Sequence, residues 1–409
     1  MKLAPPLLAI ALAISLATSP LASHARDGQE DVAALLLKHD YAALEQSLGA
    51  VQQGFEAGRV TEAELRQAFE PFADLTDAQA LLALRAWAAQ APNSYVAHLA
   101  LGLSYRAQGS DARGRKFWED TAPEQREGMV TNFTLAEPEL RKSLALTARP
   151  YLSLYNLMSI AAQMGNRPFL HATLLLGNEA LPGNRSMRLN YARFLLPRWG
   201  GSYEKFDAFV AQSREQGVAE GTLLQMQAIA LNDRAQVLRN EHHATRAREL
   251  FKQALQLARD AGDVKGFRAS YLSSAVKHVC KGEDAERSEP VCQVAQSAAP
   301  AVTVATAPAG AAFGGRLGDD MAHAVVMPAV GSAEGVRTEY AWLAMRHPGA
   351  KRTSQALLPQ DGRFYDMLTV TTADGREQKL YFDITAFVDP ALKVLPQGKL
   401  AEQQAGVAN

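Results

Sequence analysis

Between residues 29 and 279, apolar side chains recur at three- and four-residue spacing, and the run is broken repeatedly by Gly, Pro and Asn. Breaks at Gly165-Asn166-Arg167-Pro168, at Pro182-Gly183-Asn184 and at Pro197 isolate short apolar helices over residues 152–164, 169–181 and 187–196. A short helix buries a single stripe, so a succession of them joined by tight turns packs as stacked antiparallel pairs. The pattern predicts a mainly α chain, an α-α superhelix followed by a small α+β C-terminal domain.

Local signals agree. Thr61-Glu62-Ala63-Glu64 spells a capping box, followed by Leu65, Ala68, Phe69 and Phe72 at helical spacing. Residues 77–90 carry Leu81, Leu84, Trp87 and Ala88 inward, and Ala91-Pro92-Asn93-Ser94 stops that helix and caps the next. Leu101-Gly102-Leu103-Ser104-Tyr105 resembles the first helix of a tetratricopeptide repeat, with Trp118 standing where that repeat keeps a large aromatic on its second helix. Ala247, Phe251 and Ala254 repeat the small-large-small face of a second helix, with Leu231, Ala235 and Leu238 on its partner.

The same stretch resembles a bacterial family, the domain of unknown function numbered 4034. The resemblance rests on Asp40-Tyr41-Ala42-Ala43-Leu44, on Trp87 with Pro92-Asn93-Ser94, Ala97 and Gly102, and on Arg113-Gly114. It continues through Gly165, Pro182 and Pro197-Arg198-Trp199-Gly200-Gly201-Ser202 into Phe206 and Phe209. It covers residues 29–261 and implies a helical-repeat architecture without an assigned activity. One departure is the stretch 115–137, read as a loop longer and more polar than a simple turn. At 197–202, Pro197 ends one helix, Ser202 caps the next, and Trp199 with its two glycines reads as a packed corner or as part of a ligand groove.

Residues 1–25 combine Lys2, an apolar core over 7–17 and Ser23-His24-Ala25 before Arg26, the features of a secretory signal peptide; an uncleaved anchor is the competing reading. The expected location is periplasmic or secreted, with no further membrane span. The only cysteines, Cys280 and Cys292, flank a polar, acidic segment and read as a structural disulfide, since neither CxxC spacing nor a third Cys completes a metal set. With 42 Lys plus Arg against 43 Asp plus Glu, the chain lacks the cationic surplus of a nucleic-acid binder.

At 409 residues two domains are expected. The helical-repeat domain is assigned to residues 26–294, an Ala/Pro-rich linker to 295–315, the small α+β domain to 316–400 and a disordered tail to 401–409. In the tail domain, residues 339–346 read as a short helix and 364–372 as a strand. Asp374-Gly375 turns the chain, and Leu380, Phe382 and Ile384 form the returning strand. Tyr365-Asp366, Asp374-Gly375 and Tyr381-Phe382-Asp383-Ile384 together resemble a tail module of other secreted helical-repeat proteins.

Motifs for chemistry are thin. His242-His243 are adjacent and lack a zinc helix's spacing; Asp319-Asp320 with His323 falls short of a calcium ligand set. Ser274-Ala275-Val276-Lys277 has serine–lysine spacing without companion motifs, and the glycine-rich 314–318 lacks the lysine of a phosphate cradle. Asp366 and Asp383, on neighbouring strands, are the nearest approach to a paired carboxylate. The sequence thus predicts no cofactor and no metal, and a non-enzymatic protein that binds a protein or peptide in the cell envelope. Trp118, Tyr151, Tyr155, Arg198, Trp199 and Tyr203 are the candidate groove residues. The alternatives are an envelope hydrolase with Asp366 or Asp383 at the domain junction, and a glycan or small-molecule binder.

Overall fold

A computed structural model of the protein describes residues 32–114, 118–262, 265–280, 290–292 and 317–388. The expected signal segment, linker and terminal tail lie outside the described residues.

The architecture is mainly α with a small α+β unit at the end. After a helical turn at residues 32–37 come α1 (Tyr41–Glu56), α2 (Glu62–Phe69), the single turn α3 (Pro71–Asp74) and α4 (Ala78–Gln90). Thr61 Oγ1 accepts from Glu64 N while the Glu64 carboxylate accepts from Thr61 N, so the capping box starts α2 as its spelling requires. Asp77 and Ser94 cap α4 and α5 (Tyr95–Arg113) by the same chemistry.

The array continues through α6 (Pro123–Leu144), α7 (Tyr151–Gln163), α8 (Arg167–Ala180), α9 (Ser186–Phe194), α10 (Tyr203–Glu215), α11 (Glu220–Asn240), α12 (Ala244–Asp260), α13 (Lys265–Tyr271) and α14 (Ser273–Val279). The pairs α5/α6, α7/α8 and α11/α12 pack side by side, and α5, α7, α9, α11 and α14 also touch in succession, forming one continuous inner row. Gly102 is what lets α5 approach α6: a Cβ there would stand 2.7 Å from Leu140 Cγ. Ala247, Phe251 and Ala254 are buried on α12, as their spacing requires.

Two expectations are corrected here. The polar stretch read as a loop to residue 137 is mostly helix α6, whose Met129, Phe133, Ala136 and Leu140 recur at helical spacing and bury against α5 even though its other faces are charged and Pro138 lies inside it. Trp118 therefore does not sit on a second repeat helix. It lies in the connection before α6, 47% exposed, beneath the Arg126 guanidinium at 4.6 Å.

Cys280 and Cys292 are joined as a disulfide with Cα atoms 5.5 Å apart, tying the end of α14 to a short turn at Pro290–Cys292 that packs on α12. Among the described residues no helix is long and apolar enough to cross a membrane.

The C-terminal unit comprises β1 (Val325–Val326), α15 (Ser332–Arg346), β2 (Lys351–Gln360), β3 (Arg363–Thr371) and β4 (Glu377–Asp383), with sheet order β1-β4-β3-β2. Only β1 is parallel to its neighbour. Strand β2 was not expected: five successive exposed residues and Pro359 hide its pattern, yet Pro is admissible because β2 is an edge. The β2–β3 hairpin turns at Asp361-Gly362, both at positive φ. Helix α15 begins earlier than expected and has two faces. One lies on the sheet, with Trp342 edge-on to Phe382 at 5.4 Å; the other packs on α8 of the helical array.

Candidate functional site

The inner row of helices gathers arginines and tyrosines from segments far apart in sequence. Arg66 of α2 lies with its guanidinium 4.8 Å from the centre of the Tyr155 ring on α7 and donates to Ser186 Oγ at 3.2 Å. Arg106 of α5 is within electrostatic range of Tyr155, Arg66 and Asp111, and its Nε is buried without a hydrogen-bond partner. Burial draws that guanidinium below its ordinary pKa, though it remains a cation at neutral pH. Tyr155 OH accepts from Asn190 Nδ2 of α9 at 3.3 Å. Tyr271 of α13 closes the group; burial, then Tyr155, pushes its phenol up to about 12 against the opposing fields of Arg193, Arg66 and Arg185.

Helix α2 is held across this row by one carboxylate. Glu62 accepts from Arg185 N at 2.9 Å, Ser186 N at 2.7 Å and the Tyr151 hydroxyl at 2.8 Å, so it caps α9 from 124 residues away in sequence order. An anion at a helix N-terminus is favourable on both hydrogen-bond and dipole grounds. Glu62 is thereby committed to structure. Arg66, Arg106 and Arg193 form no ion pair among the described residues, and Arg193 instead stacks over Phe194 and Trp199 at 5.4 and 5.5 Å.

The six candidate groove residues separate into four places. Tyr155 lies in the arginine-lined chamber. Arg198, Trp199 and Tyr203 make the corner: the Arg198 guanidinium pairs with Asp233, whose other oxygen accepts from Tyr203 OH at 2.8 Å, and Trp199 stands edge-on to Phe194 at 5.3 Å. Gly201 is obligatory there, since a Cβ would fall 1.9 Å from the Leu195 carbonyl oxygen. Trp199 keeps 38% of its surface exposed at the edge of the inner row. Trp118 is remote, and Tyr151, read as groove-lining, is fully buried because its hydroxyl is the ligand of Glu62.

In the tail unit the aspartate couple does not form. Asp366 pairs across the sheet with Phe382 and shares its face, which puts Asp383 on the other side. Asp383 accepts from Thr385 N at 3.0 Å, Thr385 Oγ1 at 2.6 Å and Arg363 Nη1 at 3.1 Å. Asp366 instead meets Glu339 of α15, which has no exposed surface. Burial, reinforced by the Asp366 charge, pushes Glu339 up to about 9, so it carries a proton at neutral pH; Asp366, also raised by burial, takes the Gln355 amide at 2.5 Å. Both carboxyls are buried, Asp366 keeping only 5% of its surface exposed.

A second buried chain crosses the domain junction. Tyr191 OH donates to His171 Nδ1 at 2.5 Å, and His171 Nε2 donates to Glu334 of α15 at 2.8 Å. Burial depresses His171, so it is neutral and in the Nε2–H tautomer these bonds require, while its hydrogen bond holds Glu334 below the usual carboxylate range. The order tyrosine, histidine, glutamate imitates a nucleophile chain, but burial raises the Tyr191 phenol and the adjoining cavity measures about 10 Å³, room for one water. Arg346 and Glu179, 3.4 Å apart, add a second link between α15 and α8.

The remaining motifs stay apart. His242 and His243 are exposed at the α11–α12 turn, and Lys277 is exposed on α14. Asp320 caps the turn holding His323, whereas Asp319 bonds Gln378 on the wall of an open polar cleft of about 340 Å³. Among the described residues no group of three or more His, Cys, Asp or Glu is placed to hold a metal ion.

The arginine cluster was missed in the sequence because its members come from α2, α5 and α9, with no local spacing to announce them. Glu339 and His171 were missed for a similar reason: each is a lone polar residue on an apolar helix face, a signal only in hindsight of its neighbours. Comparison with protein-family models, with curated proteins and with solved structures returned no match.

Proposed function

We propose that this is an exported, non-enzymatic helical-repeat protein that holds a protein or peptide partner in the cell envelope, in the periplasm or outside the cell. The observation carrying this reading is the inner row, where Arg66, Arg106 and Arg193 stand among Tyr155, Tyr271 and Trp199 and form no ion pair among the described residues. Arginine and aromatic side chains are the usual anchors of such contacts. The signal-like N-terminus and the Cys280–Cys292 disulfide support an oxidising compartment. The order of motifs resembling family 4034 supports the architecture and brings no catalytic residue with it.

The hydrolase alternative is less well supported, because Asp366 and Glu339 are enclosed and Asp383 is engaged in a turn. The test is photo-crosslinking in intact cells from an unnatural residue at position 199, followed by fractionation. A reproducible crosslinked envelope protein is expected. Recovery of the chain only in the cytoplasm, or no specific adduct, defeats the reading.

A further inference from the structure

Among the described residues, charge is buried without conventional pairing at the inner arginine chamber, in the junction chain of Tyr191, His171 and Glu334, at the Glu339–Asp366 pair and at the isolated guanidinium groups of Arg188 and Arg268. The junction chain is internally bonded, the Glu339–Asp366 pair is buried under the sheet, and Arg188 and Arg268 are buried singly. The arginine chamber is open to solvent at Arg66 and leaves donors unused.

Resting on the partner-binding reading above, we propose that the chamber between Arg66, Arg106, Tyr155 and Tyr271 recognises a carboxylate, and that the partner segment it holds is an extended acidic peptide. The local count favours it. Arg66, Arg106 and Arg193 stand around the Tyr155 and Tyr271 phenols, with Glu62 in electrostatic range of Arg66 and Asp111 in range of Arg106. Glu62 already accepts two backbone N–H groups and one hydroxyl, so its charge is shared with the α9 N-terminus. The Arg106 Nε is a buried donor with no acceptor, a cost that an incoming carboxylate removes by a charge-assisted hydrogen bond.

Geometry favours a carboxylate on a peptide over a phosphate polymer. The Arg66 guanidinium is held by the Tyr155 ring at 4.8 Å and by one bond to Ser186 Oγ, so a planar cation stands ready for a planar carboxylate. The whole chain has a formal net charge of −1, so it lacks the surrounding field that holds nucleic acid, while Arg66, Arg106 and Arg193 suffice for one acidic side chain. The inner row runs from the chamber to Arg193 beneath Trp199, a path along successive helices that suits an extended strand of peptide.

The experiment measures fluorescence anisotropy of the full chain with a pool of eight-residue peptides containing Asp and Glu, each matched to its Asn and Gln counterpart. Acidic members should bind at least tenfold tighter than their amide counterparts at low salt, a difference of about 1.4 kcal/mol, and lose affinity as salt rises. Arg66→Gln, at an exposed position whose loss leaves the core intact, and Arg106→Gln should each lower acidic-peptide affinity roughly five- to tenfold. Thermal melts of both variants verify folding, and the Arg66→Gln result decides if Arg106→Gln fails to fold.

If acid and amide peptides bind equally, or if Arg66→Gln leaves affinity unchanged, the carboxylate assignment is overturned while the partner-binding reading stands. If no peptide binds, the assignment is likewise overturned, and the crosslinking result at position 199 then separately decides the broader reading.

Discussion

Two glutamates on helix α15 live in opposite electrostatic worlds. Glu334 faces the helical array, accepts from His171 and stays ionised; Glu339, five residues on and around the helix, faces the sheet and is pushed up to about 9 by burial and by Asp366. Helical geometry places positions five apart about 140° apart, so one helix presents a charged clasp on one side and a neutral acid on the other. The comparison teaches that side-chain identity sets neither charge nor role; the facing element does. A histidine supplies a donor on the α8 side, whereas the sheet offers only another carboxyl.

The sharpest way to break this contrast is to open the sheet side. Trp342→Ala removes a fully buried ring that packs on Phe382, and should destabilise the tail unit by about 3–5 kcal/mol while letting water reach Glu339. Chemical denaturation followed by tail-unit hydrogen exchange measures the loss, and a cost below about 1 kcal/mol would show that the ring is not sealing the pair.

Glu339→Gln should act in the other direction. Because the folded pKa of Glu339 stands above its ordinary 4.5, its contribution to stability is fully present below 4.5 and is lost as pH rises toward about 9. The amide keeps the shape and has no proton to lose. Stability should therefore rise by about 1–3 kcal/mol at pH 8 and change little at pH 4. An equal effect at both pH values would mean Glu339 is ionised after all.

His171→Gln tests the opposite face and should cost about 1–2 kcal/mol at pH 7.5. Here the folded pKa lies below the ordinary 6.5, so the stability contributed by neutral His171 is present above that value and is lost as pH falls. In the unsubstituted protein, exchange protection of α15 amides, corrected for intrinsic rate, should decline between pH 7.5 and pH 5. The variant should be flat over that range. The two faces of α15 thus carry opposite pH slopes, and a common slope would dissolve the comparison. The smallest effect belongs to the third carboxylate, Asp383: Arg363 is 62% exposed, so Arg363→Gln should shift stability by no more than about 0.5 kcal/mol by the same denaturation assay.

Legibility in the sequence followed the range of the interactions involved. Caps and turns are local, so Thr61, Ser94, Ser202 and Asp374-Gly375 announced themselves correctly. Pairing of α5 with α6 was half legible: Gly102 signalled a close approach, but the charged faces of α6 disguised it as loop. Strand β2 was hidden by an exposed edge, and the Asp361-Gly362 turn that could have revealed it went unread. For the site, Tyr155 and Trp199 were picked out as aromatics, and the structure places Tyr155 under Arg66 and Trp199 beside Arg193. The arginines that give the chamber its sign were not picked out, because charge on an amphipathic helix ordinarily means solvent and only the fold turns those faces toward each other. Tyr151 misled for the converse reason, since its amphipathic ring is consumed by one internal carboxylate.

The bond between Cys280 and Cys292 has a consequence for how the chain survives attack. A protease that cuts the backbone anywhere between the two sulfurs leaves both pieces in one covalent molecule, with α14 still fastened to the turn on α12. Such a nick would pass unseen on a non-reducing gel and appear as two bands only after thiol treatment. The linkage thus keeps the tail unit covalently attached to the helical array through any single cut between Cys280 and Cys292.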